Sequence, residues 1–87
     1  MITGHSTVGT SPKALDSTGY QSHRYIEVKA DADLGEESIY VGSIPNVSPS
    51  TGFRLSAGER LRIELASTAQ LFVVGSDTDL GYSFLVV

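Results

Sequence analysis

Eighty-seven residues, with six basic and ten acidic side chains, two histidines and no cysteine, leave room for one small domain. They exclude disulfides, thiolate metal sites and a histidine cage. A formal net charge of −4 without a basic run lacks the footprint of nucleic-acid binding.

The start, Met1-Ile2-Thr3-Gly4-His5-Ser6, has neither a basic beginning nor an apolar run, so no secretion signal is expected. The longest apolar runs, Leu71–Val74 and Phe84–Val87, are too short to span a membrane. Residues 1–22 are rich in Ser, Thr and Gly with few apolar anchors. They are expected to form an extended arm before a β-domain at 23–87. One short edge strand near Thr3–Gly9 would use Ile2 and Val8. Ser11-Pro12 and Asp16-Ser17-Thr18-Gly19 are turn chemistry.

Arg24–Ala30 is the first clear strand. Ile26, Val28 and Ala30 share one face, and Tyr25, Glu27 and Lys29 share the other. Ser38–Val41 follows the loop Asp31–Glu37, with Ile39 and Val41 inward and Tyr40 outward. The two are expected to pair as an antiparallel hairpin, because the connection is too short for a helical crossover. Gly42–Gly52 is a loop, since Pro45 and Pro49 suit no central strand.

The chain is expected to be organised around Ser50–Leu65. Phe53 and Leu55 lead into the turn Ser56-Ala57-Gly58-Glu59, whose glycine accepts φ > 0. Arg60-Leu61-Arg62-Ile63-Glu64-Leu65 then alternates charge and aliphatic, the pattern of a half-buried strand. Gln70–Gly75 and Gly81–Val87 complete the set. Both are apolar on both faces, so both are expected to be covered on both sides. Phe72, Val74, Leu85 and Val87 would form one patch at a symmetric oligomer interface, with the arm as rival cover. Spacings of about ten residues suit a sandwich or barrel, and no helix is expected.

Asp31-x-Asp33-x-Gly35 and Asp77-x-Asp79-x-Gly81 space carboxylates as calcium loops do, but the ligands are too few for an EF-hand. Turn chemistry explains both better. His5 and His23 beside Ser6 and Ser22 provide triad residue types, yet they sit where no rigid geometry is expected. No glycine-rich phosphate loop precedes a helix. Neither a catalytic residue, a cofactor nor a metal is therefore assigned. Tyr25 and Tyr40 are expected as a cross-strand pair on an outer face, which doubles as a contact surface.

The order Tyr25-Ile26-Glu27-Val28, Ile39-Tyr40-Val41-Gly42, Gly52-Phe53-Arg54-Leu55-Ser56-Ala57-Gly58-Glu59 and Leu71-Phe72-Val73-Val74 resembles small virion structural proteins of tailed bacteriophages. These are head decoration, cement or minor tail components, and the likeness covers about residues 23–87. It implies a compact antiparallel β-sandwich of jelly-roll-like topology. It also implies a protein made in the host cytoplasm and carried on the outer surface of the capsid. The expected function is non-enzymatic, namely binding and stabilising the major capsid lattice. Partners would be the major capsid protein and further copies of the chain, with no nucleic acid and no membrane. A tail or baseplate component, or a carbohydrate- or host-surface-binding module, is the alternative. Expected interface residues are Ile2, Val8, Tyr25, Tyr40, Phe72, Val74, Leu85 and Val87.

Overall fold

The computed structural model describes residues 1–64 and 67–87; Leu65, the end of the expected organising strand, lies outside them. Eight strands follow one another: β1 Ile2–Val8, β2 Lys13–Ala14, β3 Tyr25–Ala30, β4 Ser38–Gly42, β5 Phe53–Ser56, β6 Arg60–Glu64, β7 Phe72–Gly75 and β8 Leu80–Val86. No helix occurs among the described residues. The chain is all-β, with two four-stranded antiparallel sheets ordered β1-β8-β3-β6 and β2-β7-β4-β5. The first strand pairs with the last, the second with the next to last, and so inward to β4 and β5.

Alternation along each strand sets the core. Ile26, Val28 and Ala30 of β3 are fully buried. They stand opposite Val86, Phe84 and Tyr82 of β8. The second sheet contributes Ile39, Val41, Leu55 and Val73, and all join a single cluster. Leu61 and Ile63 pack on its margin, half-buried, because β6 ends its sheet and has a neighbour on one side only.

The turn between β5 and β6 forms as its residues dictate. Gly58 takes φ +78. The Glu59 N–H donates to the Ser56 carbonyl at 2.9 Å, and the Ser56 N–H donates to the Glu59 carboxylate at 2.7 Å. It joins two edge strands in different sheets.

Three expectations are corrected. First, β3 and β4 are not a hairpin, and Asp31–Glu37 carries the chain from one sheet to the other. A short connection excludes a parallel neighbour, but it suits a change of sheet equally well. That change sets the faces of Ile26 and Ile39 toward one core. Second, β7 and β8 also lie in different sheets. Phe72 and Val74 therefore sit on the outer face of one sheet and Leu85 and Val87 on the outer face of the other. The four residues form no common patch.

Third, residues 1–22 are built into both sheets rather than standing ahead of them. β1 pairs with β8 from Ile2↔Val86 to Val8↔Leu80, and the short β2 pairs with β7. Apolar anchors are few because the backbone ladder holds this segment. Three contacts complete the attachment. Val8 and Leu15 are buried, and the Phe84 ring occupies the space a side chain at residue 4 would need, so Gly4 fits there.

Candidate functional site

The outer face of the first sheet carries the three ion pairs found among the described residues. Register fixes two rows across all four strands. One row reads Thr3, Leu85, Glu27, Arg62, and the next reads His5, Ser83, Lys29, Arg60. Each arises because odd-numbered residues of β1, β3 and β8 and even-numbered residues of β6 point away from the core.

Glu27 is the hub. Its two carboxylate oxygens accept from Arg60 Nη1 and Arg62 Nη2, each at 3.2 Å. The Glu27 side chain is 14% exposed, whereas those of Arg60 and Arg62 are 63% and 58% exposed. The carboxylate thus anchors two guanidinium groups that still face solvent. The Arg62 guanidinium carbon also lies 4.1 Å from the Tyr25 ring centroid, a cation–π stack that fixes both groups. Lys29 stands directly opposite Arg60, a like-charge pair that the shared carboxylate offsets. A depression of about 260 Å³ lies here, lined by Thr3, Glu27, Lys29, Arg60, Ser83 and Leu85.

At the end of this face His5 Nε2 lies 2.8 Å from Asp31 Oδ2. The Asp31 carboxylate occupies the position a side chain at residue 81 would take, which is why Gly81 suits that site. Ser83 is the cross-strand neighbour of His5, yet no hydrogen bond joins them among the described residues. Ser6 lies on the opposite side of β1, where its Oγ accepts from Lys13 Nζ at 2.8 Å. Among the described residues no Ser–His–Asp relay is assembled.

The open margin between β1 and β2 holds a second cavity of about 260 Å³, lined by Ser6, Lys13, Leu15, Asp16 and Ser17. Beneath it the Tyr82 hydroxyl donates to the Leu15 carbonyl at 2.7 Å. Burial pushes that hydroxyl above its ordinary value of 10.0, against a smaller opposing hydrogen bond from Ser6.

The aspartate loops behave as turns. Asp77 Oδ1 accepts the Thr78 N–H at 2.8 Å, Asp79 adopts φ 56 and Gly35 φ +68. Among the described residues no three His, Cys, Asp or Glu side chains converge as metal ligands.

The eight residues expected at an interface are scattered. Val8 and Val74 are buried at 2% and 3% exposure. The two are thereby removed from any contact surface. Tyr25, Leu85 and Val87 belong to the outer side of the first sheet, and Ile2 is exposed at its edge. Tyr40 and Phe72 are half-buried on the outer side of the second. There Tyr40 stands opposite Arg54, and the loop after β4 brings Val47 against Gly42 and Gly52. Tyr25 and Tyr40, in different sheets, do not pair. The Glu27–Arg60–Arg62 network was hidden in the sequence. Its one signal is charge on the outward positions of two strands, and only the register of β3 against β6 turns that into contacts.

Comparison of the chain with protein-family models, with curated protein sequences and with solved structures finds no match.

Proposed function

We propose that the chain is a jelly roll serving as a non-enzymatic structural component of a tailed-phage virion. Its role in this reading is that of a head decoration (cement) protein on the major capsid lattice. The strand order carries the reading. β1-β8-β3-β6 facing β2-β7-β4-β5 is what a coiled eight-stranded hairpin produces, and capsid domains use that architecture repeatedly. The ordered segments resembling decoration proteins, residues 23–87, supply six of the eight strands.

The mechanism is mass action. A protein that binds only the intact shell stabilises that shell by its binding free energy. The outer face of the first sheet offers interface chemistry in Tyr25, Arg62 and Leu85, with Tyr and Arg the residue types that dominate binding energy. Electron microscopy of particles carrying the tagged protein tests the reading. Stoichiometric density on mature heads is expected; density confined to the tail or baseplate would redirect it.

Lectin domains share this architecture, and Phe53 is 59% exposed at the start of β5, as a sugar-stacking ring would be. A carbohydrate- or host-surface-binding module is the second reading. Saturable glycan binding lost in Phe53→Ala would favour it over the first.

A further inference from the structure

We propose that β6 is the dimerisation edge of this protein, pairing antiparallel with β6 of a second copy about a twofold axis at Ile63. The two sheets would then join into one through their β6 strands. This needs nothing from the virion reading.

The argument starts from what each edge leaves open. Four strands end the two sheets: β1, β6, β2 and β5. β2 is two residues long. β5, four residues long, buries Leu55 at 1% exposure and leaves Phe53 exposed at its start, and β1 buries Val8 at 2% with Ile2 exposed at its start. β6 alone is five residues long with both aliphatic side chains, Leu61 and Ile63, only half-buried. Among the described residues no strand lies along its outer side. An edge of this kind presents unpaired N–H and C=O groups beside an incompletely covered apolar row.

The occupant follows from the sequence of the strand itself. In an antiparallel pair the facing residues must lie on the same side of the sheet, which limits the symmetric registers. Centring on Arg62 sets Arg60 against Glu64 and Leu61 against Ile63, each twice, but places the Arg62 guanidinium against its own copy. Centring on Leu61 sets Arg60 against Arg62. Centring on Ile63 sets Arg62 of each copy against Glu64 of the other, twice, and Ile63 against Ile63. Both the Arg62 and the Ile63 centres give opposite charges outside and aliphatic contact inside, but only the Ile63 centre does so without setting like charges together. The contact is isologous and therefore closes at two subunits.

The partner groups are already oriented. Arg62 is held by Glu27 at 3.2 Å and by the Tyr25 ring, so little rotamer freedom is lost on association. Glu64, the cross-strand neighbour of Tyr25, forms no ion pair within the chain among the described residues.

The test is a charge swap read by sedimentation or light scattering of the whole chain. The wild type is expected to dimerise with rising concentration. Arg62→Glu and Glu64→Lys, each alone, place like charges together twice and should weaken the dimer about tenfold or more. Mixing the two variants restores both opposite-charge pairs, so a heterodimer is expected to reappear. A wild type monomeric at about 1 mM, a range where even weak contacts show, overturns the proposal. So does a dimer indifferent to Glu64→Lys, or folded variants whose mixture stays monomeric. Should Arg62→Glu fail to fold, hydrogen exchange on the wild type decides. Concentration-dependent protection confined to the β6 amides supports the pairing, and protection at another surface overturns it. Rescue of β6 protection by an acidic–apolar peptide in a monomeric wild type would assign the edge to a foreign strand instead.

Discussion

Strands β3 and β6 carry nearly the same sequence pattern and meet different fates. Tyr25-Ile26-Glu27-Val28-Lys29-Ala30 and Arg60-Leu61-Arg62-Ile63-Glu64 both alternate aliphatic with polar, and they pair with each other from Tyr25↔Glu64 to Lys29↔Arg60. Ile26 and Val28 are wholly buried, whereas Leu61 and Ile63 are half-exposed. The difference is place. β3 lies between β8 and β6, and β6 has β3 alone. Periodicity reports which side chains face inward, and the number of neighbouring strands decides how completely they are covered.

The sharpest way to break this comparison is to put the same charge into both strands. Val28→Asp inserts a carboxylate where no water and no partner reach, at a cost exceeding about 4 kcal/mol. A small domain has little more than that in hand, so no folded protein is expected. Ile63→Asp leaves the carboxylate at the margin, where it can reach solvent, and should cost about 1–3 kcal/mol. Chemical denaturation of the two variants checks it. Equal loss of folding would show that β6 is as central as β3.

A second test concerns the other edge of that sheet. Removing residues 1–9 strips β1 from β8, uncovers Phe84 where Gly4 lay beneath its ring, and deletes the buried Val8. Stability should fall by several kcal/mol, toward the limit for the domain. A truncated protein melting like the full chain would return the segment to the detached arm that its composition suggested.

That segment shows where the sequence was legible and where it was not. Inward and outward faces were readable in β3, β4 and β6 because a period of two needs only a half-buried strand. The Ser56–Glu59 turn was readable from its glycine and its acid. In β1, Ile2-Thr3-Gly4-His5-Ser6-Thr7-Val8 has almost no apolar alternation, since a backbone ladder holds it and Phe84 fills the space over Gly4. Partnership was the larger gap. Every connection except that from β4 to β5 changes sheet, and loop length alone does not distinguish a hairpin from a crossing. The outer-face network failed for the same reason. Glu27 and Arg62 lie far apart in the chain and meet only through the register.

Tyr82 sharpens the comparison from within the core. It is the largest fully buried side chain, and its hydroxyl donates to Leu15 across to the segment leading out of β2. Tyr82→Phe leaves that carbonyl unpaired and should cost about 1–3 kcal/mol. Its pH signature has a definite sign. The folded pKa lies above the unfolded 10.0, so the folded state holds the proton more tightly. The associated stability is present in full below pH 10.0 and is lost as pH rises through the folded value. The wild type should therefore lose stability in strong alkali more steeply than Tyr82→Phe. Parallel curves for the two would show that burial of the hydroxyl does not govern the alkaline limb.

The smallest effect expected is that of calcium, and it contrasts the loops with the sheet face. Both aspartate loops have carboxylate spacing that invites an ion. In the folded chain, however, Asp31 is taken by His5 at 2.8 Å and Asp77 by the Thr78 N–H at 2.8 Å. Glu37 accepts from the Ser76 hydroxyl at 2.5 Å, tying one loop to the other. A calcium ion takes six to eight oxygen ligands; here it would have to break these contacts to collect even a few. Adding calcium or a chelator should leave the melting temperature unchanged within about 1 °C, since a ligand shifts stability only by binding the folded state. Asp31→Asn is the companion measurement. If the carboxylate serves His5 alone, the variant loses an exposed pair worth no more than about 1 kcal/mol and stays indifferent to calcium. A rise of several degrees with calcium in the wild type, abolished in Asp31→Asn, would show that the ion outcompetes His5 and that the loop is more than a turn.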